Sequence, residues 1–514
     1  MKKEEQKLNS KLIDRPPVVA VMGHIDHGKS KLLDYIRKSN VVDKEKGGIT
    51  QHISAYEVIH KNEDGVEKKI TFLDTPGHES FSAMRKRGIE IADIVILVIS
   101  AEDGPKNQTF EILKTIEENK IPYLVAINKI DKPNINVQKT KMDLAEKGIY
   151  LEGQGGTIPY VEISAKTGQG INTLLDTILL IAEMEELKGN PLINAIGKVL
   201  ESDLNPQRGI SANLIIKDGI LKKGDFIVIG DSVAGTRIFE NFLGENIEGA
   251  SFSSPVRITG FSSSLKILGF RKVPKAGDKF ISFNTKQEAE NLVKENQDGK
   301  KRVSVMPEEL INTNTKIIPL IIKADVSGSI EAIEKEILKL NNENISFKII
   351  QKEVGNINES DLSLCATNKN SIVIGFNVKA DSNAIELEQR LGITMKLFDI
   401  IYQITDWLKN KIEELTPKKE IEEVVGKIKV LRIFNQTKGN QTIGGEVIEG
   451  KITSNKNLRI IRRENQIGTG RIISLEQSKT KTKIVEEGRQ FGTIIETKTE
   501  IAIGDILESF IGNN

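Results

Sequence analysis

Gly23-His24-Ile25-Asp26-His27-Gly28-Lys29-Ser30 sets two glycines ahead of a lysine and a serine. A backbone that curls at both glycines aims successive N–H groups at one point. That suits the β- and γ-phosphates of a nucleotide, with Lys29 adding positive charge and the Ser30 hydroxyl a ligand for Mg2+. Asp74-Thr75-Pro76-Gly77-His78 adds an aspartate able to reach Mg2+ through water, a glycine amide for the γ-phosphate, and a histidine on the side of an attacking water. In Asn128-Lys129-Ile130-Asp131 a carboxylate can accept from both N1–H and N2–H2 of guanine, a donor pair that adenine lacks. Ser164-Ala165-Lys166 would brace that base with backbone amides. A chance glycine turn is the weaker alternative for the first segment, which its flanking strand and the helix start Leu32-Leu33 oppose, and the last alone would read as an ordinary loop; in this order the four define a switch that selects GTP over ATP.

Each segment follows an apolar run of strand length: Val18–Met22, Ile70–Leu73, Tyr123–Ile127 and Tyr160–Ile163. With helices predicted over Asn107–Glu118 and Ile171–Leu187, residues 16–186 read as a doubly wound, mostly parallel α/β sheet, the GTP-binding domain. Short strands and Gly-Asp turns predict a β-barrel over 190–284, and the charged run 285–312, helix-prone from Thr285 to Arg302, reads as a solvated linker. Strand and helix alternation resumes over 313–400 as an α/β/α domain, and the pattern Ile401, Ile404, Trp407, Leu408, Ile412 predicts a connecting helix over 401–418. Residues 422–514 repeat the first barrel: Gly197-Lys198-Val199 returns as Gly426-Lys427-Ile428, Gly235-Thr236-Arg237-Ile238 as Gly468-Thr469-Gly470-Arg471-Ile472, and Gly277-Asp278 as Gly504-Asp505. The reading is a multidomain protein of α/β and β units, with coincidental hairpins as the alternative to the repeat.

Length suggests three or four domains for 514 residues. The lone Cys365 excludes a disulfide framework and fits a reducing, cytoplasmic setting; no apolar stretch is long enough to span a membrane. All five histidines fall within the first 78 residues, which excludes a histidine metal site further along. Net charge is only +1, so any nucleic-acid surface must be local. One candidate is 427–471, where ten Lys or Arg stand against three glutamates; Arg432, Lys451, Arg459, Arg462, Arg463 and Arg471 belong to it. A solvated barrel face is the alternative.

The first three nucleotide segments, together with Gly47-Gly48-Ile49-Thr50-Gln51-His52, resemble translational GTPases. Lys323-Ala324-Asp325-Val326-Ser327-Gly328-Ser329, Val354–Asp361 and Ile374-Gly375-Phe376-Asn377-Val378 resemble the third domain of bacterial-type translation initiation factor two, so the likeness runs from about Pro17 to the C-terminus. It implies a factor that engages initiator methionyl-tRNA on the small ribosomal subunit through its last barrel, promotes joining of the large subunit, hydrolyses GTP under ribosomal stimulation, and works as a monomer. It also implies that Ser30 and Thr50 ligate Mg2+, that Lys29 neutralises phosphate charge and that His78 orients water. Asp26 reads as a loop cap or a metal-associated group. Another ribosome-associated GTPase and a non-hydrolysing GTP-gated module are the competing classes.

The chain departs from the family pattern in three places. Only about fifteen residues precede the first strand, against the long charged extension of many members. Gly445 and Phe491 stand at two usual cysteine positions, and Glu476-Gln477 at a usual Lys-Arg pair. These belong to the family's pocket for formylated methionine, so weakened formyl recognition is expected.

Overall fold

The computed structural model describes residues 12–38, 50–62, 65–133, 135–205, 207–263, 273–299, 316–342, 344–366, 370–415, 423–437, 439–478 and 480–511. Gly47–Ile49 and Lys438, and the expected segments 1–11, 300–312 and 416–418, lie outside these residues. Two compact units divide at Glu414/Leu415.

The first unit begins with a six-stranded sheet built from β1 (Val18–Gly23), β2 (Ser54–Lys61), β3 (Glu67–Asp74), β4 (Ile94–Ser100), β5 (Tyr123–Asn128) and β6 (Tyr160–Glu162). Its order is β2-β3-β1-β4-β5-β6, parallel except for the β2/β3 hairpin. Every residue of β1 and β4 is buried, as unbroken apolar runs require when helices cover both faces of a parallel sheet. The helices are α1 (Lys29–Arg37), α2 (Ser82–Ile91), α3 (Asn107–Asn119), α4 (Val137–Ala145) and α5 (Ile171–Met184).

The barrel that follows closes through β7 (Ile196–Asn205), β8 (Gly209–Asp218), β9 (Phe226–Ile229), β10 (Ser232–Gly235), β11 (Pro255–Ser263) and β12 (Lys279–Phe283). Around the ring the order is β7-β8-β11-β10-β9-β12. Asp93 ties it to the GTPase sheet, accepting a two-pronged bond from Arg15 (2.6 and 2.8 Å) and another from Lys217 (2.7 Å). The helix-prone run is a helix, α6 (Lys286–Gly299), but not a fully solvated one, since it sinks Ala289 and Val293 against Val228 and Val233. Ala289, Leu292 and Val293 recur at helical spacing, and that apolar stripe seats an otherwise charged segment on the barrel.

The α/β/α domain has four parallel strands, β13 (Lys316–Ala324), β14 (Ile345–Val354), β15 (Ile372–Phe376) and β16 (Thr394–Phe398), in the order β14-β13-β15-β16. α7 (Ser327–Lys339), α8 (Glu359–Cys365) and α9 (Ser382–Leu391) cover it. α7 lies along α2: Lys339 pairs with Glu79 (3.1 Å), Arg87 with Glu331, and a Cβ on Gly328 would meet the Met84 methyl at 2.3 Å. α10 (Ile401–Leu415) follows, burying Ile401, Ile404 and Leu408.

The second unit is again a closed six-stranded barrel: β17 (Glu423–Gln436), β18 (Gly439–Thr453), β19 (Asn457–Arg462), β20 (Asn465–Gln477), β21 (Gln490–Thr497) and β22 (Ile506–Ile511). Its ring order, β17-β18-β21-β20-β19-β22, is that of the first barrel strand for strand. The equivalence extends to single bonds. Gly277 N–H and Val199 N–H bond Val199 O and Asp278 O, and Gly504 N–H and Val430 N–H repeat this with Val430 O and Asp505 O. Gly277-Asp278 and Gly504-Asp505 are therefore counterparts, whereas Val199 matches Val430 and not Ile428. The Gly-Lys-hydrophobe match is displaced by two residues; a period-two strand offers the same inward pattern at either register.

Candidate active site

The phosphate loop leaves β1 at Gly23 and enters α1 at Lys29. Gly28 has φ +88°, and a Cβ there would come within 2.4 Å of the Asn128 amide nitrogen, so no other residue fits without displacing Asn128. Asp26 also turns through positive φ, +63°, which fits a residue shaping the loop. The Lys29 ammonium is buried and donates to the carbonyls of Gly23 (2.9 Å) and His24 (2.8 Å). Burial pulls its pKa down to about 8, against the opposing pull of Asp74.

Gly77 approaches this lysine so closely that a Cβ would sit 2.6 Å from Nζ. The segment 74–78 is thus pressed against the phosphate loop. Ser30 Oγ and Thr50 Oγ1 lie 3.2 Å apart, and Asp74 is buried with its charge acting on Lys29; all three offer oxygen donors of the hard kind that Mg2+ takes. Their chemistry fits that ion.

His78 N–H geometry is defined on one side: Nδ1 accepts from the Ser80 backbone N–H at 3.0 Å, which leaves the ring proton on Nε2. Burial lowers its pKa, so the ring is neutral at physiological pH. Arg85, almost fully buried on α2, donates to the carbonyls of Pro76 (3.5 Å), Gly77 (3.3 Å) and His78. Its guanidinium holds the 76–78 backbone in place. No motif announced it; the signal available was a basic residue on the apolar face of a helix.

At the base end, Asn128 acts as a cross-brace: Oδ1 accepts from Ala165 N–H (2.9 Å) and Nδ2 donates to His27 O (2.9 Å). Ser164 donates its hydroxyl to Asp131 Oδ1 at 2.7 Å, which holds that carboxyl below the usual range. Lys129, in left-handed conformation at φ +67°, pairs with Glu102 and Asp103. These segments meet around one cavity of about 530 Å³, the size of a small-molecule site. Ile25, Asp26, Lys29, Ser30, Thr50, Gly77 and His78 line one end, and Asn128, Lys129, Asp131, Ala165 and Lys166 the other. Tyr402 of α10 also lines it, a residue that no spacing argument reached.

Several residues of the motifs shape the loops without facing the cavity. His27 is buried with Nδ1 3.3 Å from Val98 O, and desolvation pushes its pKa down to about 4. His24 meets the Gln108 amide, Thr75 donates to Val21 O (3.1 Å), Pro76 O accepts from Arg85, and Ile130 N–H bonds Ile163 O.

Three consecutive residues after Thr50 are held from outside the GTPase sheet. Gln51 donates to Asp399 O (3.0 Å), His52 pairs with Asp325 (3.3 Å), and Ile53 N–H donates to Glu201 Oε1 (2.9 Å). Glu201 is buried on β7, and desolvation raises its pKa to about 7. The folded protein therefore binds more protons than the unfolded chain between about pH 4.5 and 7, and stability from this group declines as pH rises through that window. Glu201→Gln keeps an acceptor for Ile53 and removes the titration. Relative to the parent it should gain about 2–3 kcal/mol between pH 4.5 and 7.5, read from thermal midpoints at both pH values; parallel pH profiles would contradict the assignment.

A mostly parallel sheet carrying a Gly-rich loop before Lys29-Ser30 and an Asn128-Lys129-Ile130-Asp131 segment beside one cavity, with an adjoining closed barrel, is the make-up of a translational GTPase. Residues 15–184 match the Elongation factor Tu GTP binding domain, 194–283 match Elongation factor G domain 2, and 292–409 match Translation-initiation factor 2. Translation initiation factor IF-2 of Staphylococcus aureus strain JH9 is 40% identical over 518 aligned positions, 99% of this chain and 71% of that protein. Its counterpart in strain Newman is 39% identical over the same extent. Among solved structures, GDP-bound aIF5B from Aeropyrum pernix matches 97% of this chain and 92% of its own at 26% identity, with a TM-score of 0.48. The chain belongs to the translation initiation factor IF-2 family, and it is a GTP-binding GTPase.

Proposed function

We propose that this protein engages initiator methionyl-tRNA on the small ribosomal subunit, promotes joining of the large subunit and hydrolyses GTP under ribosomal stimulation, acting as a cytoplasmic monomer. One observation carries the reading: the phosphate loop, the guanine carboxylate and His78 share a cavity, and the segment beside Thr50 is gripped by both neighbouring domains. In this reading Asp131 accepts from the guanine, Lys29 leaves the loop carbonyls for the phosphates, and the Gly77 amide meets the γ-phosphate. His78 orients the water through its imidazole. Ser30 and Thr50 would hold Mg2+ directly and Asp74 through water, and the ion would supply charge neutralisation at the β- and γ-phosphates. Thr50 reports the γ-phosphate to Gln51, His52 and Ile53, and through them to the barrel and the α/β/α domain. No helix among the described residues is long and apolar enough to cross a membrane.

Phosphate release measured as small subunits, large subunits and charged initiator tRNA are added one at a time tests this. The rate should be low for the protein alone and rise by orders of magnitude only when both subunits are present. An unchanged rate with whole ribosomes would remove the ribosomal partner from the reading.

For the last barrel we propose a basic face that meets tRNA phosphates. Arg462 forks onto Asp505 (2.8 Å twice), and Arg459 pairs with Glu508 (3.0 Å). Replacing either should loosen the barrel as well as weaken tRNA binding. Arg432 lies over the Phe434 ring, and Lys451, Arg463 and Arg471 complete the candidate set. Gly445 pairs in register with Phe491 and Glu476 with Gly492, so the positions that depart from the family pattern lie on adjoining strands. A Cβ at Gly445 would meet the Ile428 methyl at 2.6 Å, so a side chain fits there only if Ile428 moves. Glu476 puts a negative charge where a lysine is usual, and Gln477 has no guanidinium fork for a carbonyl. Protection from hydrolysis should therefore discriminate formylated from unformylated methionyl-tRNA less sharply than in family members with the basic pair. Glu476→Lys with Gln477→Arg should raise the preference for the formylated form several-fold, whereas strong preference in the parent would mean that other residues have rebuilt the pocket.

A further inference from the structure

His78 is clasped by groups from two domains. Its Nδ1 accepts from Ser80 N–H, its carbonyl accepts from Arg85, and the Phe81 ring stands edge-on at 6.1 Å. These contacts come from its own segment and α2. The closest aromatic contact does not: the Tyr402 ring, in the first turn of α10, packs edge-to-face on the imidazole at 4.1 Å and 78°. Tyr402 is 45% exposed, so it is no core residue, yet it lines the nucleotide cavity beside His78 and Gly77. Three residues earlier, Asp399 O takes the bond from Gln51. One short stretch, 399–402, thus touches both the segment next to Thr50 and the histidine.

We propose that Tyr402 is a positioning residue that holds the His78 ring in a resting orientation and keeps unstimulated GTP hydrolysis slow. The proposal rests on the role given to His78 above. An edge-to-face pair biases a ring between two orientations by a modest factor, and a partner that moves α10 or the 74–78 segment breaks it without unfolding any core. Because the contact spans two domains, the brake is released by relative motion of those domains and not by nucleotide binding alone.

Single-turnover GTP hydrolysis without ribosomes tests this. With every variant saturated by GTP, Tyr402→Ala should raise the ribosome-free single-turnover rate about three- to tenfold, the scale of losing one aromatic pair, while the stimulation by ribosomes shrinks correspondingly. Tyr402→Phe should restore the slow rate, since the ring and not the hydroxyl makes the contact. In a His78→Ala background Tyr402→Ala should change nothing. The His78 Cε1–H resonance should lose its ring-current shift in Tyr402→Ala and keep it in Tyr402→Phe, a readout that remains should hydrolysis of the alanine variant be compromised by poor folding. An unchanged or slower ribosome-free rate in Tyr402→Ala, or a Tyr402→Phe that behaves like it, overturns the brake. Undiminished ribosome-stimulated turnover in His78→Ala overturns instead the role of His78, so the two failures are distinguishable.

Discussion

Asp131→Asn should bind GTP roughly 10²–10³-fold more weakly than the parent and prefer xanthosine triphosphate. The magnitude follows from two hydrogen bonds to a charged group, each worth about 1.5–3 kcal/mol, being replaced by one bond and one clash of donors. The asparagine oxygen can still accept from N1–H, but its amide group then faces the guanine amine. In xanthine a 2-oxo group stands there and accepts from the amide. Ser164, which donates to Asp131 at 2.7 Å, sets the carboxylate plane. Ser164→Ala should therefore cost GTP affinity by a smaller factor without changing base preference. Titrations with GTP, ATP and xanthosine triphosphate check this, and equal binding of ATP and GTP by the parent would end the guanine assignment.

His78→Ala should leave GTP affinity within about twofold and reduce ribosome-stimulated turnover by roughly 10² or more, the scale of a positioned catalytic group. The structure sharpens the chemistry. With Nδ1 engaged by Ser80 N–H, the neutral ring presents Nε2–H, so in this orientation it is a donor and not a base. Protonation would have to displace the Ser80 bond, and burial already opposes the charged form. Stimulated turnover should accordingly be nearly flat from pH 6.5 to 8, and a rate that tracks an ionisation near 6.5 would require the ring to turn over during stimulation.

The nucleotide segments were legible because each needs local chemistry that few residues supply: glycine where the loop must curl, lysine and serine for phosphate and metal, a carboxylate for guanine. Lys29, Asp74, Asn128 and Asp131 could be named without coordinates for that reason. Asn128 as a brace was not legible, since both its bonds reach other loops, one to His27 and one to Ala165. The linker misreading has the opposite cause. Charge dominates 285–299, and the apolar stripe of Ala289, Leu292 and Val293 takes its meaning from the barrel strands beneath it.

By itself the sequence determined the fold class, the order of domains, the nucleotide and the kinship of the two barrels, all of which follow from periodicity and from motifs whose residues are neighbours along the chain. Tertiary structure decided the barrel register, where a two-residue slip leaves an alternating pattern unchanged and only the pairing of Val199 with Asp278 and of Val430 with Asp505 chooses. It also decided that Glu201, Asp325, Asp399 and Tyr402 attend the segments around Thr50 and His78. Those residues lie far from the motifs in sequence, and contacts of that kind depend on how separate domains pack, which no local pattern encodes.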